Sequence, residues 1–554
     1  MTEELQLKKY EENLLFLPLG GAGEIGMNLN LYHLNGRWII VDLGLGFADG
    51  DTPGTDIILP NINFILEEIA NKVDAIIITH AHEDHIGAIP YLWSEIKCPI
   101  YTTKFTALII KKKVSEHSSC KNLKIMEVQS GQTIKIGGFD IEFVPMHHSI
   151  PEMQALYIKT SKGNIFHTGD WRFANPHETV DDSNREYLKE IGRRDILALV
   201  GDSTNILHDE AARSESDLGT NLEQIISNYG KSMVLVTTFA SNVARLESIF
   251  NAAKKTNRKV FLLGRSLQKI FNAAQESGYL KDMIIGDEKE IGHLRKEEIL
   301  VMCTGCQGEV LAALSKIALG KHHYLTIGEK DLVLFSSKII PGNEKKIYDL
   351  YNQLTKLGVK ILNEHNEFVH VSGHPSRAEV RQMYSYIKPQ IAIPVHGEAL
   401  HLHEHCRVAR DSNVPHVINV TNGSVVILDH DKPSVVGTVE SGRYTIDGNV
   451  LLESTNDIFA QRKVMMQNGI IIVNVVLNKE SITDINIYAP GLLNEEEDVD
   501  LFEAFSDDIR KILRKNSLGN TLAMEKEIQR LVKKRVRREI NKFPIVKVYL
   551  YRKR

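Results

Sequence analysis

The sequence predicts a mixed α/β protein of several domains. Three features carry this: β-branched runs that end in polar residues, a central stretch where strands alternate with helices, and a C-terminal segment of different charge. A chain of 554 residues is too long for one hydrophobic core, so two to four domains are expected. Hydrophobic residues at 43% and charged residues at 25% are ordinary for a globular protein. No apolar run approaches the roughly 20 residues of a membrane helix, so no membrane partner is expected.

The first part of the chain supplies "RWIIVDLG", "AIIITHAH", "FDIEFVPMHHS" and "GNIFHTGDW", each a strand-like run closing on polar residues. The same grammar returns in "QIAIPVHGEALHLHEH". Open α/β sheets place ligands at the carboxyl ends of their strands, which is where these polar residues fall. Between them, "KSMVLVTTFA", "KVFLLG", "EEILVMCTG" and "DLVLFSS" alternate with helical stretches such as "NLEQIISNYG" and "SNVARLESIFNAAKK". This reads as a βα module inserted into the first domain. After "GTVESGRYTIDGNV", the strands "GIIIVNVVLN", "SITDINIYAP" and "FPIVKVYLY" surround a charged helical region, which reads as a small α+β domain. The expected division is therefore 1–210 and 371–438 for the first domain, 211–370 for the insert, 439–455 for a linker and 456–554 for the last domain.

Charge and cysteine content narrow the setting. The formal net charge is −5, yet Ile509 to Arg554 holds sixteen Lys and Arg against three Asp and Glu, leaving about −18 on the remainder. The basic run "LVKKRVRREINK" fits a solvated helix face, or contact with phosphates or a partner subunit. Five cysteines, Cys98, Cys120, Cys303, Cys306 and Cys406, are odd in number and scattered, which suits a reducing cytoplasm better than disulfides. Cys303 and Cys306 form a lone C-x-x-C, read as buried small residues rather than a zinc or redox pair. The opening "MTEELQLKKYEENLLF" lacks a basic stretch leading into an apolar one, so a cytoplasmic location is expected.

The sharpest chemical signal is "THAHEDHIGA", where His80, His82, Asp84 and His85 stand as H-x-H-x-D-H after a strand and before a helix. Residues two apart leave a strand end on one side, and the turn can aim Asp84 and His85 at a second point nearby. Imidazole with carboxylate suits zinc or manganese. His148, Asp170 and His396 are weaker strand-end candidates, each ambiguous alone.

These residues, together with "GGAGEIGMN", "GDSTN", "TFASN", "TGCQGE", "IIPGNE", "HVSGH" and "PVHGE", resemble the metallo-β-lactamase superfamily and, within it, the ribonuclease J family of β-CASP nucleases. The resemblance implies a metallo-β-lactamase αββα sandwich with an inserted β-CASP domain. It implies one metal held by His80, His82, His148 and Asp170, and a second held by Asp84, His85, Asp170 and His396, with Asp170 shared. His147 competes with His148 for its place, and His148 matches the family's H-S-I-P. His33, His167, His401, His403 and His405 match no ligand position.

The implied cofactors are two zinc ions, with manganese or magnesium as alternatives for activity. The implied reaction is RNA phosphodiester hydrolysis, 5′-to-3′ from 5′-monophosphate ends and also internally, in messenger RNA decay and ribosomal RNA maturation. A histidine at 396 favours RNA, since the DNA-directed branch typically carries valine there. Asp84, His374 and Asp202 are the catalytic candidates: His374 as general acid, Asp202 as an orienting carboxylate or a plain strand-end residue. Phe239, Ala240 and Ser241 would lie near a base or 5′-phosphate, and His370, Val371, Ser372, Gly373 and His374 would form a phosphate cradle. Phe239 equally fits core packing. An endonuclease-only processing enzyme and a non-catalytic RNA-binding scaffold are the competing readings. The last domain resembles the family's oligomerisation domain, so a homodimer or homotetramer is expected. Departures from the family pattern are Pro375, Cys306 and the stretch "DWRFANPHET".

Overall fold

Branched aliphatic residues favour the pleated, half-buried surface of a sheet, and the long apolar runs become strands buried on both faces. In a computed structural model describing residues 7–48, 50–173, 179–209, 213–478, 482–515 and 521–552, two such sheets face each other. One has eight strands, in the order Ser434–Thr438, Ser424–Ile427, Leu15–Gly20, Leu29–Leu34, Arg37–Val41, Val73–Ile77, Ile100–Thr102 and Ile125–Glu127. The other has seven: Thr133–Ile136, Phe139–Pro145, Gln154–Thr160, Gly163–His167, Ile196–Asp202, Ile391–Val395 and His416–Val417. Their inner faces share one core, in which Phe16, Tyr32, Val41 and Ile77 of the first meet Phe143, Leu156, Val200 and Ile393 of the second.

Helices cover the outside. Leu188, Val380, Met383 and Val408 of three helices pack on Phe166, Leu199 and Ala392 of the seven-stranded sheet. Trp38 meets Phe64 of helix Asn63–Glu68 edge-on at 5.9 Å. The result is the expected αββα sandwich. Within each sheet the central strands run parallel, pairing Arg37–Val41 with Val73–Ile77 and Gly163–His167 with Ile196–Asp202 and Ile391–Val395. Parallel strands bring their carboxyl ends to one edge, and that is where Asp42, His80, Asp170, Asp202 and His396 follow.

The insert is an all-parallel sheet ordered Lys259–Leu263, Ile299–Cys303, Val234–Thr237, Leu332–Phe335 and Lys360–Leu362. The first strand in sequence, Val234–Thr237, sits in the middle, with later strands added on both sides. The topological switch therefore falls at its carboxyl end, the usual site for ligands in such sheets, and "TFASN" begins there. Asn242 accepts a hydrogen bond from the Arg245 amide and starts the helix Val243–Lys255.

The chain divides into two compact units, Met1–Gly46 with Ile58–Gly442, and Phe47–Ile57 with Arg443–Arg554. Within the stretch expected as a linker, Arg443–Asp447 and Val450–Glu453 form an antiparallel hairpin. Its two-residue turn has Gly448 at φ 63°, which the sequence "DGN" accommodates. Asp447 forms an ion pair with Arg462 at 2.6 Å, so this conspicuous turn residue has a structural partner. In the second unit, the sheet Ile482–Tyr488, Ile470–Leu477 and Ile545–Arg552 lies on helices Val499–Lys515 and Thr521–Ile540. Residues 174–178 of "DWRFANPHET", and residues 516–520 and 553–554 of the basic segment, lie outside the described residues. All five cysteines are buried and unpaired, and burial pushes the Cys303 and Cys306 thiols up to about 12, as expected of packing residues. No described helix is long and apolar enough to cross a membrane.

Candidate metal centre

Strand Val73–Ile77 continues through Ile78 and Thr79 to His80, and His82 starts the one-turn helix Glu83–Ile86. That helix is held by main-chain bonds from the loop after Arg37–Val41: Leu43 N–H donates to His85 O at 2.8 Å and Leu45 N–H to Glu83 O at 3.0 Å. At Gly44 between them, a β-carbon would stand 1.7 Å from Asp84 O, so only glycine permits the approach. The turn from strand into helix thereby aims His80 and His82 one way, and Asp84 and His85 another.

Three groups of four donors converge among the described residues: the two expected sets, and a third of Asp170, Asp202, His374 and His396. His82 Nδ1 lies 3.0 Å from both His80 Nε2 and His148 Nε2, and Asp170 Oδ2 lies 3.7 and 3.8 Å from those two Nε2 atoms. Beside them, His85 Nε2 is 3.2 Å from Asp170 Oδ2 and 3.6 Å from Asp84 Oδ2, and His396 Nε2 is 3.2 Å from Asp84 Oδ2. Four donors about 2.0–2.2 Å from a tetrahedral zinc stand roughly 3.3–3.6 Å apart, close to what both sets present. Asp170 belongs to both.

The surroundings fit the same use. The far nitrogens of three histidines are engaged: His85 Nδ1 with Asp42 at 2.7 Å, His80 Nδ1 with the Thr79 hydroxyl at 2.9 Å, and His148 Nδ1 with Gly373 O at 2.7 Å. Such bonds select the tautomer that offers the other nitrogen to a metal. His396 Nε2 is buried, facing the Asp84 carboxylate across the second set. His396 itself has φ 53°, an uncommon backbone state for a non-glycine residue, held by its N–H donating to Gly21 O at 2.6 Å. These residues therefore have the donor chemistry and geometry for metal.

Electrostatics separates the sets. Burial pushes His82 down to about 4 and holds His80 and His148 well below the usual imidazole range, so these three are neutral donors. Burial works the same way on His85 and His396, but the Asp170 carboxylate, aided by Asp84, outweighs it and raises both well above that range. Burial also opposes ionisation of Asp170, and the facing imidazoles of His396 and His85 reverse that, keeping it a carboxylate.

His374 stands next to this cluster, its Nδ1 2.8 Å from Asp202 Oδ2. Burial lowers its affinity for a proton, and Asp202 more than restores it, leaving the pKa raised. Gly373 has to be glycine, since a β-carbon would stand 2.8 Å from the His148 ring. Behind Asp202, the Ser203 hydroxyl meets His405 Nδ1 at 2.8 Å, and His405 Nε2 meets the Tyr384 hydroxyl at 2.9 Å. Burial holds His405 down at about 4, against about 6.5 in an unfolded chain. Its contribution to stability is thus present above pH 6.5 and lost as pH falls through 4, roughly 3 kcal/mol in total. His405→Gln is expected to flatten the decline of urea-unfolding free energy between those pH values; an unchanged slope would contradict this.

All seven expected metal-site residues come together, and His148 rather than His147 joins the cluster, His147 being bridged instead to Arg172. His33 and His167 bond to Asn13 O and the Tyr32 hydroxyl, respectively. Phe239, Ala240 and Ser241 are partly exposed rather than core. In the helix that follows them, Arg245 donates to Ser336 O and to Val369 O, the residue before "HVSGH", at 3.0 and 3.3 Å. His370 Nδ1 is buried without a partner, and burial followed by Arg245, Lys338 and Arg172 lowers that imidazole to about 3. Asp42, Thr79 and Asn28 were missed in the sequence; Asn28 Nδ2 lies 3.1 Å from His85 Nε2. Asp42 ends "RWIIVD", the same strand-end pattern that marked the other candidates.

A two-sheet sandwich with paired His and Asp donor sets at its strand ends defines a metal-dependent hydrolase of the metallo-β-lactamase class. Four family descriptions match the chain: "Beta-lactamase superfamily domain" over 37–189, "Ribonuclease J, beta-CASP domain" over 231–354, "Zn-dependent metallo-hydrolase RNA specificity domain" over 358–419, and "Ribonuclease J C-terminal domain" over 458–553. Ribonuclease J of Sinorhizobium meliloti is 36% identical over 98% of this chain and 97% of its own. Those of Mycolicibacterium smegmatis and Helicobacter pylori are 34% and 31% identical, over 83% and 96% of this chain and 83% and 78% of theirs. A solved protein of unknown function from Enterococcus faecalis shares the fold at TM-score 0.53 and 18% identity, covering 75% of this chain and 100% of that one. The chain belongs to the ribonuclease J family and is a metal-dependent ribonuclease.

Proposed function

We propose that this ribonuclease hydrolyses single-stranded RNA from 5′-monophosphate ends, with some internal cleavage, at a centre holding two zinc ions. The observation that carries the two-ion reading is the sharing of Asp170 between two complete donor sets. His80, His82 and His148 would complete one site, and Asp84, His85 and His396 the other. When bound, the ions supply positive charge against the growing negative charge of the phosphodiester and acidify the attacking water. His374, with Nδ1 engaged by Asp202, has Nε2 left to carry the proton that the departing 3′ oxygen needs. Asp202 acts through His374 as a positioning residue.

The end preference rests on His370. A buried imidazole Nδ1 without a partner, among Arg245, Lys338 and Arg172, is suited in its N–H tautomer to donate to an anionic oxygen, and a 5′-phosphate supplies one. Phe239 would offer a stacking face to the terminal base. The test uses RNA labelled at either end, carrying 5′-monophosphate or 5′-triphosphate, with zinc, manganese and magnesium in turn. Mononucleotides released first from the 5′-monophosphate end are expected. Internal fragments alone would replace this reading with an endonuclease-only enzyme.

A further inference from the structure

Two members of the third donor group, Asp202 and His374, belong to neither expected set, while Asp170 and His396 are shared with them. Its ligand atoms, like those of the other two groups, all lie within 4.8 Å of one another. His374 Nδ1 is 2.8 Å from Asp202 Oδ2 and 3.9 Å from Asp170 Oδ2. His396 Nδ1 is 2.8 Å from Asp170 Oδ1 and 3.7 Å from Asp202 Oδ1. These separations bracket the roughly 3.3–3.6 Å between neighbouring donors of a tetrahedral zinc. The Thr204 N–H donates to Asp202 Oδ1 at 2.8 Å and fixes the carboxylate, so Oδ2 is aimed into the group. The Asp202 side chain is closed off from solvent and that of His374 is 24% exposed, so an ion has a way in past the imidazole.

We propose that Asp202 and His374, with Asp170, form a third, inhibitory metal site, which zinc fills only once the two sets of the centre are occupied. The inference rests on the two-ion reading above. With those sets filled, His396 is committed through Nε2, and the donors left are the Asp202 carboxylate, His374 Nδ1 and a lone pair of Asp170. One imidazole with two carboxylates is a donor mix that zinc takes. Weak binding is built in, because the site stands beside two cations and shares a carboxylate with them. The ion enters as the Nδ1 proton leaves to the buffer. His374 then holds metal on Nδ1 and a proton on Nε2, with no room for a second proton. To protonate the departing 3′ oxygen it would have to give up its last proton and become an imidazolate, so it is a far poorer acid than the imidazolium. The same ion also takes Asp202 away from orienting the ring. Filling the third site therefore stops cleavage with both ions of the centre still in place.

The test dialyses the full-length protein, carrying two zinc ions per chain, against rising zinc, with bound metal read by mass spectrometry and cleavage measured in parallel. A third zinc per chain is expected, and cleavage should fall about 10²-fold or more as it binds, the contribution of a positioned general acid. His374→Gln and Asp202→Asn should each keep two zinc ions and fail to take the third. Their residual cleavage should be insensitive to the excess. These variants also expose the trivial cause, zinc captured by the RNA, which would inhibit all three proteins alike. Saturation of the wild type at two zinc ions, or equal inhibition of wild type and variants, overturns the proposal. Saturation at one overturns the two-ion reading itself, and the proposal with it.

Discussion

Asp170→Ala is expected to remove both metal ions and to lower RNA cleavage by at least roughly 10³-fold, the loss of several kcal/mol of transition-state charge stabilisation. The reason is geometric. Asp170 Oδ2 faces His80, His85 and His148, and Oδ1 lies 2.8 Å from His396 Nδ1, so among the described residues no other side chain serves both donor sets. His82→Ala provides the contrast. It removes one donor of the first set only, and should retain about one metal per chain while cleavage is still lost. Metal analysis by mass spectrometry, with circular dichroism to check the fold, reads the difference. Two metals and undiminished cleavage in Asp170→Ala would exclude a shared carboxylate.

His374→Gln is expected to lower the turnover number about 10²- to 10⁴-fold, the usual contribution of a positioned general acid, while leaving metal content and KM near wild type. The ring sits beside both sets yet bonds to Asp202 rather than completing the first or second set. A substrate whose leaving 3′ oxygen is replaced by sulfur separates acid catalysis from mere positioning, since a thiolate departs without a proton. On that substrate the gap between wild type and His374→Gln should largely close. A gap of the same size on both substrates would assign His374 to binding. Asp202→Asn should show the same pattern, more weakly, because it acts through the His374 ring.

Much of the site was legible because hydrolytic metal chemistry draws on few residue types and strands deliver them at their ends. His80, His82, Asp84 and His85 form a local cluster whose spacing alone places four donors around a strand-to-helix turn. His148, Asp170 and His396 were legible only through family resemblance, since a single strand-end His or Asp is common. Asp42 and Asn28 escaped notice although they contact His85. Their function is to hold a donor rather than be one, and nothing in a one-dimensional sequence marks a residue that acts through a partner distant in the chain.

The domain plan was partly legible for a similar reason. Alternation of strand and helix marked the insert, but its strand order, with Val234–Thr237 central, depends on which crossovers go left and which right. The excursion 47–57 joins the second unit although its sequence neighbours belong to the first. The hairpin at 443–453 was hidden because short strands flanking a glycine turn look like any polar connection.

By itself the sequence determined the chemistry available: imidazoles and carboxylates at strand ends, a βα insert, and a basic C-terminal segment on an otherwise acidic chain. Only the tertiary structure decided which of these act together. The choice of His148 over His147 and the sharing of Asp170 depend on atoms converging within about 4 Å, a distance scale that zinc coordination sets. The pairing of His374 with Asp202 depends likewise on a hydrogen-bond length.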